Sequence, residues 1–164
     1  MSGAARRAAG SGDGWHEEVP GPFSLPATTH SYLDRAATSL QEAMTAADVP
    51  TRYACAHVAA LRAAAALLAA RARPTAGRRR PQTNAWVLLA EVVPELAEWA
   101  GFFAAGAAKR AAAEAGSRRA VTEREADDLV RDADRFLGVV EQQLGLVPHV
   151  PLEQLSARAA RVTA

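Results

Sequence analysis

The sequence predicts an all-α protein, an up-down bundle of four main helices. Alanine, the strongest helix former, provides 41 of the 164 residues. Apolar side chains recur at intervals of three and four in four separate stretches, and no stretch shows the alternation of a half-buried strand. The bundle should occupy residues 28–146, between an N-terminal arm of residues 1–27 and a C-terminal tail of residues 147–164.

The N-terminal arm is rich in glycine and proline and lacks a periodic apolar pattern. Such a segment cannot bury enough apolar surface to offset the entropy of ordering, so it is predicted to be disordered. Trp15 and Phe23 could dock on the bundle or on a partner, although loosely packed aromatic residues are the favoured interpretation.

The first helix is predicted from about Thr29 to Ala47, because Pro50 disfavours helical backbone at the residue before it. The second should begin with Thr51 as its N-cap and run to about Arg73. Many positions on its apolar face are alanine, so a neighbouring helix can approach closely.

The third helical segment should extend from Thr83 or Asn84 to about Ala115, where Gly116 ends it. Pro94 lies inside this segment and cannot donate a backbone hydrogen bond. The segment is therefore predicted to be kinked or split at Pro94.

The fourth helix, Thr122 to Leu144, has the clearest start. Thr122 and Glu125 form a capping-box pattern, in which each side chain accepts a hydrogen bond from the other residue's backbone amide. Charges of alternating sign, such as Arg124 and Asp128, indicate an exposed outer face. A short amphipathic helix is also possible in the tail, over Leu152 to Val162.

The net charge of +1 implies no bulk attraction to nucleic acid or anionic membranes. Cys55 is the only cysteine, so no internal disulfide can form, which is typical of a reducing compartment. No uninterrupted apolar run reaches the roughly 18 residues of a membrane span, and the N-terminus lacks a secretory signal pattern. These features favour a cytoplasmic protein.

Arg52 and His57 are the candidate catalytic pair. A histidine can act as general acid or base in RNA cleavage, and an arginine can stabilise the charged transition state. Five helical residues rotate the side chain by about 140°, so the two do not share one face of a regular helix. The favoured alternative is that His57 is a buried, hydrogen-bonded histidine.

Three carboxylates, Glu91, Glu95 and Glu98, recur at helical spacing on the third segment. They could line a polar groove facing Arg62 and the Arg52–His57 pair, and Glu95, Glu98 and Arg62 are then candidate ligand-binding residues. A solvated helix face is the favoured interpretation. The sequence predicts neither a metal site nor a cofactor.

A basic cluster between Arg71 and Arg80 could contact phosphates of RNA or a nucleotide, through Arg78, Arg79 and Arg80. It lacks the interleaved aromatic residues of a single-strand binder. A solvated loop is an equally good interpretation.

Several separated blocks resemble one family, the HEPN (higher eukaryotes and prokaryotes nucleotide-binding) domains, and among them a small actinobacterial, SAV-type branch. The resemblance covers about residues 28–146. It rests on Arg52–Leu68, Ala85–Ala90, Pro94–Ala100 and Arg119–Leu129.

The resemblance implies a helical bundle that is often dimeric. In many HEPN proteins an Arg-x(4–6)-His motif near the start of the last core helix cleaves RNA without metal. Here the fourth helix contains no histidine, and only Arg52 and His57 match that spacing. The sequence therefore favours a non-catalytic homodimer, associating through an alanine-rich helix face, that binds RNA, a nucleotide or a protein. A metal-independent ribonuclease and a pure protein adaptor are the alternatives.

Overall fold

The computed structural model describes residues 24–71 and 84–162, and this part of the chain is helical without any strand. The all-α prediction is confirmed. Residues 1–23, with Trp15 and Phe23, and residues 72–83, with Arg78, Arg79 and Arg80, lie outside the described residues. The helices, in chain order, are α1 (Ala27–Thr45), α2 (Val49–Arg71), α3 (Ala85–Val92), α4 (Ala97–Ala105), α5 (Ala107–Glu114), α6 (Glu123–Gln143) and α7 (Leu152–Val162).

The α1–α2 connection, residues 46–48, lies two residues earlier in the chain than predicted. Asp48, and not Thr51, caps α2, because the Asp48 carboxylate accepts a hydrogen bond from the Thr51 amide at 3.0 Å. Pro50 lies inside the first turn of α2, where its missing amide hydrogen would have had no partner in any case. Two large apolar residues of α1, Tyr32 and Met44, are exposed by 36% and 51%.

Helix α2 lies at the centre of the bundle and packs mainly against α1 and α6. Its alanines are buried on more than one face of the helix, as predicted for close helix packing. Five of them have no exposed surface: Ala56, Ala60, Ala63, Ala64 and Ala66. These alanines pack against other helices of the same chain, so they do not form a free surface for self-association.

Among the described helices, only α2 has the length and composition of a membrane span, with a mean hydropathy of 1.5 over 18 residues. No uninterrupted apolar run of this length occurs in α2, because Arg52, His57 and Arg62 interrupt its apolar residues. That window is 56% buried inside the protein, and the core helix of a soluble protein passes the same test.

The third predicted segment is split at Pro94, as expected. Helix α3 ends before this proline, a single 3₁₀ turn covers Pro94–Leu96, and α4 follows directly. A second break at Gly106, which separates α4 from α5, was not predicted.

An aromatic cluster forms the core where α3, α4 and α6 meet. Phe103 and Phe136 are fully buried, and their ring centroids lie 5.1 Å apart. Trp86 and Trp99 stack on Phe103 at 5.1 and 5.9 Å. Phe103 is therefore the common neighbour of the cluster.

The predicted capping box at the start of α6 is present. The Thr122 hydroxyl accepts a hydrogen bond from the Glu125 amide at 3.2 Å, and the Glu125 carboxylate accepts one from the Thr122 amide at 2.8 Å. Gly116 and Gly145 have positive φ angles of 84° and 72°, which suits glycine after a helix. The predicted tail helix also forms, as α7.

Candidate functional site

Arg52 joins the first turn of α2 to the start of α6. Its Nη1 donates a hydrogen bond to the Asp127 carboxylate at 2.6 Å, and Glu123 lies 3.9 Å away. Its Nη2 donates to the Ala46 carbonyl at 3.4 Å. The guanidinium is thus neutralised by carboxylates of its own chain.

His57 points into the core and is only 1% exposed. Its Nε2 lies 2.8 Å from the Phe103 carbonyl oxygen. Because a carbonyl only accepts hydrogen bonds, Nε2 carries the proton and Nδ1 of the neutral ring is an acceptor. Nδ1 has no hydrogen-bond partner among the described residues. The favoured prediction of a buried, hydrogen-bonded histidine describes this geometry.

Burial lowers the pKa of His57, and the nearby charge of Arg110 acts in the same direction. The hydrogen bond to Phe103 opposes both effects without cancelling them. The imidazole is therefore neutral at neutral pH.

Gly106 permits this arrangement at the α4–α5 break. A Cβ added there would lie 2.9 Å from the Tyr53 hydroxyl and 3.3 Å from His57 Cδ2, both too close for a normal contact. The absence of a side chain at Gly106 lets both rings pack against the backbone beside Phe103.

The other predicted site residues that the structure describes do not assemble with Arg52 and His57. Arg62 faces α1, where it donates hydrogen bonds to the Ser39 hydroxyl at 2.5 Å and the Arg35 carbonyl at 3.2 Å. Glu95 and Glu98 are exposed and form no ion pair with any residue that the structure describes. Their placement corresponds to the solvated face.

A surface groove that sequence reasoning missed lies between the α4–α5 break and α6, with a volume of about 540 Å³. Tyr53, which is only 5% exposed, lines its floor, and Phe102 is 48% exposed in it. The remaining lining is Leu129, Lys109, Glu125, Asp128, Arg131, Asp132 and Arg135. The adjacent pair Phe102–Phe103 was a usable signal, since neighbouring side chains point about 100° apart on a helix and one of the two rings can face outward.

The cations of the groove are paired with acids. Lys109 contacts Glu125, whose pKa falls to about 2 because it accepts hydrogen bonds from Lys109 and Thr122. On α6, Arg131 contacts Asp128, and Arg135 lies 3.4 Å from Asp132. The groove therefore offers apolar surface between balanced charges.

One comparison with known proteins found a matching family. A family model described as SAV_6107-like HEPN matches residues 43–141, which include Arg52, His57 and most of the groove. Searches of the curated proteins and of the solved structures found no match.

Proposed function

Because the chain belongs to the HEPN family, in its SAV_6107-like branch, we propose that it is a non-catalytic helical module that works by binding. The observation that carries this proposal is that Arg52 and His57 have separate structural partners. Arg52 is held by Asp127, and the His57 proton is donated to the Phe103 carbonyl in the core. RNA cleavage by this pair would require both side chains to leave those partners.

The test of non-catalysis is incubation of the purified protein with mixed RNA in EDTA. We expect no cleavage above a blank, and the same result for Arg52→Gln and His57→Gln. Cleavage by the wild type that is lost in both folded variants would overturn the proposal in favour of the metal-independent ribonuclease.

The partner that the described surface fits best is a second copy of the chain. On α6, Asp128, Arg131, Asp132 and Arg135 follow one another within about 100° of the helix circumference, by helical geometry. We call these four residues the α6 charge stripe. Their signs run minus, plus, minus, plus.

This order of signs is self-complementary. In a twofold antiparallel pair of α6 helices centred between residues 131 and 132, Asp128 faces the partner's Arg135, and Arg131 faces the partner's Asp132. Such an isologous contact repeats each ion pair on both sides of the axis. Phe102, which lines the same groove as the stripe, adds apolar surface that association would bury.

Charge reversal tests this dimer. An acidic variant, Arg131→Glu with Arg135→Glu, and a basic variant, Asp128→Arg with Asp132→Arg, should each be monomeric in sedimentation at a concentration where the wild type is dimeric. Mixing the two should restore a 1:1 dimer, because like charges repel within each variant and attract between them.

The matched control reverses two charges outside the stripe, at the exposed residues Arg119 and Arg158. This variant, with both residues changed to Glu, should dimerise like the wild type. A monomeric wild type, or a mixture that stays monomeric, would contradict the second copy as partner.

The other candidate partners are RNA, a nucleotide or a different protein. The cations lining the groove are already paired with carboxylates, which supports a protein surface over a polyanion. Capture from a native lysate, read with the ratio of absorbance at 260 and 280 nm, separates these cases. The proposal includes a cytoplasmic location, supported by the single cysteine.

A further inference from the structure

His149, in the connection between α6 and α7, is held between two carboxylates of α6. Its Nδ1 lies 2.8 Å from Glu141 Oε2, and its Nε2 lies 2.8 Å from Asp134 Oδ1. The ring lies over Gly138, where an added Cβ would be 3.8 Å from its Cε1. A carboxylate only accepts hydrogen bonds, so both contacts are satisfied together only when both ring nitrogens carry protons.

The same carboxylates also hold the backbone of the connection. The His149 amide donates to Glu141 at 2.8 Å, and the Leu152 amide, at the start of α7, donates to Asp134 at 3.0 Å. Asp134 is only 2% exposed. This buried charge therefore depends on the donors of the C-terminal segment for its hydrogen bonds.

Helix α7 packs weakly on the bundle, with Leu152 at its start partly buried against the core. None of its residues is buried, and Leu155 and Val162 are 48% and 87% exposed. Arg135 contacts Glu153 across the α6–α7 junction, but an exposed ion pair contributes little to stability.

We propose that His149 is a proton-operated clasp: the protonated imidazole fastens the C-terminal segment to α6, and loss of its proton releases α7. The neutral ring keeps one N–H, so either Asp134 or Glu141 loses its ring donor. If Asp134 loses the ring donor, its buried carboxylate keeps only the hydrogen bond from the Leu152 amide among the described residues. A buried carboxylate oxygen without a donor raises the free energy of the attached state.

The charged groups around His149 set the pH range. Burial alone would lower the pKa of His149, but the hydrogen bonds to Glu141 and Asp134 outweigh burial and raise it. The other charges near the junction are paired or occupied: Arg135 with Glu153 and Asp132, and Arg71 with the Gln143 carbonyl and side chain.

The attachment of α7 to α6 should weaken as pH rises. Because the folded-state pKa is above the ordinary value of 6.5, the clasp contributes fully below pH 6.5 and is lost as pH rises through the folded-state pKa. The chain should therefore hold α7 at pH 6 and release it at alkaline pH.

Hydrogen exchange of the full chain tests the clasp, with rates at pH 6 and pH 9 expressed relative to an unstructured peptide at the same pH. The protection of residues 152–162 should fall severalfold between pH 6 and pH 9, while α6 stays protected. His149→Gln should show low α7 protection at both pH values.

Glu153→Gln is the matched control, because it removes the Arg135 contact and leaves the clasp intact. Its α7 should keep the pH step. Equal α7 protection of the wild type at both pH values, or a step that persists in His149→Gln, would overturn the clasp. His149 lies outside the residues matched by the family model.

Discussion

Replacing Phe103 with alanine is expected to lower the free energy of unfolding by about 3–5 kcal/mol, the range for large aromatic residues deleted from a core. Phe103 is fully buried and contacts the rings of Trp86, Trp99 and Phe136. The loss should appear as a lower midpoint in urea denaturation followed by circular dichroism.

Phe102→Ala provides the matched control for this prediction. The residue is adjacent and has the same side chain, but it is 48% exposed in the groove. Its replacement should cost about 1 kcal/mol or less in stability, while weakening dimerisation. Equal destabilisation by the two changes would contradict the placement of Phe103 at the centre of the cluster.

The second large effect is expected for His57→Ala, about 2–4 kcal/mol of lost stability. The change leaves a cavity and removes the side-chain donor to the Phe103 carbonyl, and each loss is destabilising. His57→Gln should recover part of this loss, because its amide nitrogen can donate from a similar position. Thermal unfolding at pH 7.5 measures both differences.

The pH dependence provides a separate test of His57. Its pKa is lowered in the folded state, so the unfolded chain binds more protons below the ordinary pKa of 6.5. The His57 contribution to stability should therefore be present above pH 6.5 and decrease as pH falls below it. His57→Gln should lose less stability than the wild type between pH 7.5 and 5; parallel losses would contradict a neutral buried imidazole.

The fold was predictable where local chemistry decides the backbone. The capping box of Thr122 and Glu125 and the break at Pro94 depend on residues a few positions apart, and both form as expected. The break at Gly106 was not predictable, because its reason is the position of Tyr53 and His57 on another helix. At the start of α2, Pro50 was interpreted as a stop although proline also fits a first helical turn.

The candidate site was less predictable. Helical spacing correctly indicated that Arg52 and His57 do not share a face, but their partners Asp127 and Phe103 lie 75 and 46 residues away in sequence. The clasp at His149 needs Asp134, 15 residues away, and the helix-to-tail turn that brings them together. Such contacts depend on tertiary packing, which cannot be predicted from a local sequence pattern.

The position of His57 beside Trp86 gives the protein an internal optical reporter. The two ring centroids lie 6.0 Å apart and the rings meet edge to face. A protonated imidazole quenches indole emission more strongly than a neutral one. The tryptophan fluorescence of the folded chain should therefore decrease when His57 gains its proton.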